Sequence, residues 1–176
     1  MHGGRREQTN HVLVAESGVT AMGADVPRTP NSLGVTFGVD AEQWLGNWQA
    51  GADRVAVVSA GERSRTTASV AGGDDVVAEL TGAVETVPET SDVSVVGELV
   101  NEYLVKWRGD GDTTVYVDDL TTLLDSVSAE TAFRFVHALL ARATATDARV
   151  VVSMDGDAHA PHVVGTFEAL FEDVRR

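Results

Sequence analysis

Residues 11–27, HVLVAESGVTAMGADVP, set a short apolar run ahead of a glycine-containing loop. A buried strand feeding such a loop can present backbone N–H groups to phosphate. A working phosphate loop reads G-x-x-x-x-G-K-[ST]. Its amides cradle the phosphates, its lysine offsets the β/γ charge and its hydroxyl ligates magnesium. The stretch here is ESGVTAMG. Ser17, Gly18 and Thr20 supply a turn and two hydroxyls, but Val19 stands where the lysine belongs. Glu16 brings negative charge to the place where phosphates would lie.

A second candidate lies at the end of TTVYVDD, where Asp118 and Asp119 follow an apolar run. An acid at a strand's carboxyl end can hold magnesium, or it can bond nearby turn amides, which is the commoner arrangement. The stretch DGDAHAPH offers Asp155, Asp157, His159 and His162, residue types that bind divalent metals. It is not an EF-hand, since its sixth position is Ala160 and its twelfth Thr166. An acidic surface loop is the simpler reading, and no metal site is assigned. Ser17, Ser59 and Ser153 lie near strand ends, yet none sits in a G-x-S-x-G elbow and no His/Asp order supports a triad. There is no cysteine, which excludes thiolate chemistry and disulfides. Trp44, Trp48 and Trp107 follow helical spacing and read as core.

The elements that must position these residues alternate. His11–Ala15, Leu33–Phe37, Arg54–Ser59, Thr114–Asp118 and Arg149–Met154 are short, Val-rich runs bounded by Gly, Asp or Ser, and residues 84–87 suggest one more strand. Continuous runs such as RVVVSM suit strands buried on both faces of a parallel sheet. Helices are expected over 41–50, Asp92–Arg108, Ala129–Ala145 and Val163–Val174. In the second, Val93, Val96, Leu99, Val100, Tyr103, Leu104 and Trp107 share a stripe, Ser91 or Asp92 caps the start, and Glu102 and Lys106 form an outer pair. In the third, Ala132, Phe133, Val136, Leu139, Leu140 and Ala143 point inward, with Ser128 as cap and Glu130–Arg134 outside. The fourth buries Phe167, Leu170 and Phe171. Strand–helix alternation implies right-handed crossovers over a parallel sheet. Residues 61–75, rich in Gly, Ser and Thr, read as a surface loop, and GDGD (109–112) as a turn.

The 176 residues fit a single domain over 11–176 behind a ten-residue tail. The net charge is -14, from 27 acidic and 13 basic residues. Such a surface repels phosphate backbones and anionic lipid, so neither nucleic acid nor a membrane is expected as partner. No apolar run approaches the ~20 residues that cross a bilayer, and a cytoplasmic location is expected. Lys106 is the single lysine and isoleucine is absent. Arg over Lys, Val over Ile and an acidic surface suggest a GC-rich genome and a halophilic cell, where salt screens self-repulsion.

Residues 113–143 resemble the KaiC/RecA-type ATPases, whose second nucleotide motif reads hydrophobic strand, Asp-Ser-Leu-Thr, then Leu-Leu. Asp119 here replaces the serine. LGVTFGVDAEQWLGNW is similar to that family's second strand and helix. ARVVVSMDGDAHAPHVVGTFEALFEDV is similar to its later strand, loop and final helix. The resemblance covers 11–174 and is strongest to small KaiC-like proteins of haloarchaea. It implies a three-layer α/β/α sandwich with a mainly parallel sheet, of RecA/KaiC-like P-loop NTPase type. It marks Ser17, Gly18, Thr20 and Asp118 as a vestigial nucleotide site. The family's catalytic glutamates follow the second strand, where this chain reads Gly38-Val39-Asp40. The resemblance therefore implies a degenerate ATPase domain with no catalytic residue and no cofactor. Its expected role is a regulatory, signalling or protein-interaction module. RecA-type domains assemble side by side, so a protein partner or self-association is expected. The alternative is a nucleotide-binding switch or weak ATPase that uses ATP, magnesium, Asp118 and a partner's Lys or Arg. A small hydrolase is disfavoured because no nucleophile–base pair is visible.

Overall fold

The computed structural model describes residues 11–21, 23–37, 44, 53–61, 83–87 and 93–176. The tail over 1–10, the loop over 62–75, the Ser91/Asp92 cap and Gly38-Val39-Asp40 lie outside those residues. So does the 41–50 helix apart from Trp44, which is helical.

The strands are β1 (Val12–Val14), β2 (Asn31–Thr36), β3 (Arg54–Ala60), β4 (Ala83–Val87), β5 (Thr113–Asp118), β6 (Arg149–Ser153) and β7 (Asp173–Arg175). The helices are α1 (Val93–Lys106), α2 (Leu120–Leu124), α3 (Ala129–Ala145) and α4 (Pro161–Glu168). The strands form one sheet in the order β4-β3-β2-β5-β6-β1-β7. Every neighbouring pair is parallel. The molecule is thus an α/β protein with an all-parallel sheet. No helix among the described residues is long and apolar enough to cross a membrane.

Burial on both faces explains why the strand sequences are nearly unbroken in apolar residues. Leu13, Leu33, Val35, Val115, Val117 and Val152 point to the face covered by the helices. There they meet Val96, Val100 and Leu104 of α1, Val136 and Leu139 of α3, and Phe167 of α4. The intervening Val12, Val14, Val57, Tyr116 and Val151 point to the other face, under Trp44 and Ala21. Each such valine or leucine, fully buried, contributes about 1.5–3 kcal/mol. Gly34 is required on this second face. A Cβ there would fall 2.6 Å from the Trp44 ring, which lies directly on the strand.

Two expectations are corrected. The last helix does not reach Val174: α4 stops at Glu168, and Asp173–Arg175 become β7. The pull is backbone pairing. β7 lies parallel beside β1 and satisfies N–H and C=O groups that β1 would otherwise leave open. On α3 the buried phenylalanine is Phe135, while Phe133 is only partly covered and stacks near His137. Phe135 instead meets Phe37 edge-on at 6.0 Å. Ser128 caps α3 by accepting the Thr131 N–H at 3.1 Å, and Glu130 pairs with Arg134, both as expected. Lys106 remains on the exposed side of α1, its ammonium 6.0 Å from the Tyr103 ring centroid.

Candidate functional site

β2 hands the chain on toward β3, and its neighbour β5 hands it on toward β6. The connections therefore diverge between these strands, and open parallel sheets bind ligands at the carboxyl edge of such a switch point. Thr36 and Asp118 are the last residues of β2 and β5 and are paired in register. Ser59 of β3 is the register partner of Thr36 on its other side, and Ser153 closes the row on β6. All four are buried: Ser59 1%, Thr36 0%, Asp118 1% and Ser153 3% exposed. A polar row thus crosses the sheet beneath the loop that follows β1.

Asp118 is the hub of that row. Its Oδ1 accepts the Ala21 N–H at 2.7 Å and the Ser153 hydroxyl at 2.8 Å. The backbone amide that reaches the acid thus comes from the residue after Thr20. The peptide between Asp118 and Asp119 is cis. Asp119 turns away and caps α2 by accepting the Thr121 N–H at 3.1 Å. Half-burial pushes the Asp119 carboxyl above its ordinary range against these bonds, and nearby Asp155 adds to the rise.

The four residues marked as a vestigial nucleotide site are spread over separate roles. Ser17 directs its hydroxyl to Asp155 at 2.6 Å and lies 2.9 Å from a carboxylate oxygen of Asp157. Gly18 takes φ +80°, the left-handed turn that glycine makes without strain. Thr20 folds back within the loop to accept the Gly23 N–H at 3.0 Å. Asp118 meets the loop at the Ala21 amide. The Ser17 hydroxyl and the Ala21 amide are therefore spent on acids at the ends of β6 and β5, and the Thr20 hydroxyl on the loop itself.

The loop after β6 is tied down as well. Asp155 caps a single 3-10 turn, Gly156–Ala158, by accepting the Asp157 N–H at 3.0 Å. The Ser17 bond holds its carboxyl below the ordinary range. Its own N–H donates to Thr121 Oγ1 at 2.8 Å, and the Thr121 hydroxyl shares a hydrogen bond with His159 Nε2 at 3.0 Å. Thr121 is the residue that sequence reasoning missed. Only its place in the Asp-Leu-Thr-Thr run hinted at it. Gly156 is needed because a Cβ would sit 2.7 Å from the Ala15 carbonyl. Asp155, Asp157, His159 and His162 are not brought together: among the described residues no three His, Asp or Glu side chains are grouped so that they could hold a metal ion.

Beside the loops lies a cleft of about 510 Å³, lined in part by Glu16, Ser17, Asp157, His159, Glu168 and Arg176. Its arginine is already held by two bonds to Glu168, at 2.8 and 2.7 Å. The neighbouring Arg175 donates to the Asp25 carbonyl and pairs with Asp173. Lys106 is remote: α1 returns from the carboxyl edge, so its last residue lies at the opposite edge. The electrostatic balance of the cleft is acidic, which disfavours an anion.

A parallel open sheet with a buried acid at its switch point defines an α/β protein. The chain belongs to a family of unknown function, DUF7504, and the match spans residues 12–174. No curated protein matches the sequence.

Proposed function

We propose that the chain is a non-catalytic regulatory or protein-interaction module, built on a degenerate KaiC/RecA-like ATPase domain. One observation carries this reading: Asp118, the acid that would hold magnesium, is 1% exposed and accepts bonds from the Ala21 N–H and the Ser153 hydroxyl. The acid acts as a structural acceptor that fastens the loop to the sheet. The loop supports the reading further, since Ser17 binds acids, Glu16 faces the cleft and the lysine is missing. Phosphoryl transfer depends on positive charge poised at the phosphates, and the cleft offers the reverse.

A second reading is favoured by one specific group. The Thr36 hydroxyl, fully buried beside Asp118, has no hydrogen-bond partner among the described residues. Buried polar groups are nearly always satisfied, so an orphan at a switch point is consistent with a site that another molecule completes. In that case the chain would be a nucleotide-binding switch or weak ATPase, with ATP, magnesium and a cation supplied by a partner.

Turnover separates the two. The first reading expects no magnesium-dependent ATP or GTP hydrolysis in molar KCl above the level of Asp118→Ala. It also expects that Asp118→Ala lowers stability by about 2–4 kcal/mol, because two buried donors lose their acceptor. Hydrolysis that vanishes in Asp118→Ala while the fold survives would overturn it in favour of the switch.

A further inference from the structure

The outer surface of the helical layer holds features that neither the core nor the loops account for. Among the described residues, the exposed large hydrophobics are Val95 at 41% and Val105 at 59%, and both lie on α1. Ten residues apart, they stand about 15 Å from each other along the helix. Helical spacing sets Glu98 and Glu102 on the same face between them, and both acids are exposed.

Beside this face runs a groove of about 430 Å³ between α1 and α3. Gly97, Phe135, Ala138 and Leu139 give it an apolar floor, and Arg134 and Arg142 stand on its α3 side. Gly97 is the informative residue. Glycine inside a helix is destabilising relative to alanine, because it has more backbone freedom to lose. Nothing among the described residues requires it, since a Cβ there would meet no atom within 4 Å. A helix glycine facing open space at a groove floor is what close approach by another molecule would call for.

We infer that the occupant is a second copy of this chain. α1 of each copy lies across the α1–α3 groove of the other, so Val95 and Val105 cover Gly97 and Ala138. Glu98 and Glu102 then face Arg134 and Arg142. The charges decide for a second copy. One helix of the patch carries exposed acids and its neighbour exposed arginines, so the patch is its own complement, as a twofold contact requires. Among the described residues Arg134 is held by an exposed pair with Glu130 on its own helix, a bond weak enough to exchange. This assignment rests on the reading of the chain as an interaction module and gives that module its partner and surface.

The test is sedimentation equilibrium of the full chain in molar KCl, with helicity and melting followed on the same samples. The wild type should form a concentration-dependent dimer. Val95→Glu with Val105→Glu should weaken association about tenfold or more with melting unchanged. Gly97→Leu should raise the melting temperature through helix propensity yet also dissociate the dimer by filling the groove. Glu98→Arg should dissociate it, and adding Arg134→Glu should restore it. A folded wild type that stays monomeric, or a dimer indifferent to all of these variants, would overturn the inference. MgATP titrated into the same samples keeps the two claims apart. A monomer that binds no nucleotide sinks the dimer alone, and a dimer that binds MgATP leaves this surface intact while overturning the non-nucleotide reading.

Discussion

His11 shows how a titratable side chain is fixed by its neighbours. Its Nδ1 accepts the Val150 N–H at 3.1 Å, so the ring proton resides on Nε2 and points to Thr144 Oγ1 at 2.9 Å. Burial, the largest cause, holds its pKa below the ordinary 6.5, with Glu172 opposing and Arg149 assisting. The native state therefore keeps His11 neutral, whereas the unfolded chain takes up a proton near 6.5. Stability contributed by the neutral ring is complete above that value. It falls as the pH drops through it, and levels off below the depressed folded value. Urea titrations from about pH 8 to about pH 5 should show this decline. His11→Leu should flatten the slope while lowering stability throughout, by about 1–3 kcal/mol, because the Val150 N–H loses its acceptor. An unchanged slope in His11→Leu would contradict the assignment. The rise at Asp119 acts in the opposite direction and in the carboxylate range, so the two are separable. Residue types were legible in the sequence at this scale, since the strand-end acid and the loop serine stand out. Their partners were not. Asp118 reaches Ala21 across 97 positions and Ser17 reaches Asp155 across 138, distances over which no spacing rule operates.

Among the elements, β2 carries the sharpest steric constraint. Gly34→Ala would bring a methyl to 2.6 Å from Trp44 Cε2, and the ring is fully buried, so the strand or the ring must shift. Overpacking of this kind should destabilise by about 1–3 kcal/mol in urea melts. Combining it with Trp44→Leu should cost less than the sum of the two losses, since both act on one contact. A neutral Gly34→Ala would show that Trp44 does not rest on β2. The interior strands were readable because burial on both faces writes valine at nearly every position, as in RVAVVSA and RVVVS. β7 was not. Its three residues, Asp173–Arg175, have no period of their own, and only the open edge of β1 makes them a strand. The same limit applies to Phe133 and Phe135, which flank Arg134 on α3. Sequence periodicity admits either, and the contact with Phe37 selects Phe135.

For the whole molecule, the excess of acid sets how stability responds to salt. A net of -14 on 176 residues repels itself at low ionic strength, and salt screens that repulsion within about 10 Å at 0.1 M and about 3 Å at 1 M. The melting temperature should therefore rise from tens-of-millimolar to molar KCl, and an identical value at both would remove the support for a halophilic origin. The measurement that bears most directly on the proposed function is calorimetric titration of MgATP at matched molar salt. It would compare wild type with Val19→Lys, which places a lysine before Thr20. Glu16 would draw the new charge to itself. The loop amide at Ala21 is committed to Asp118, and the Ser17 hydroxyl to Asp155, so neither is free to hold phosphate. Neither protein should bind MgATP. Micromolar binding by the wild type, or by Val19→Lys alone, would mean that the cradle is already formed, and would contradict the reading of this edge as closed upon itself.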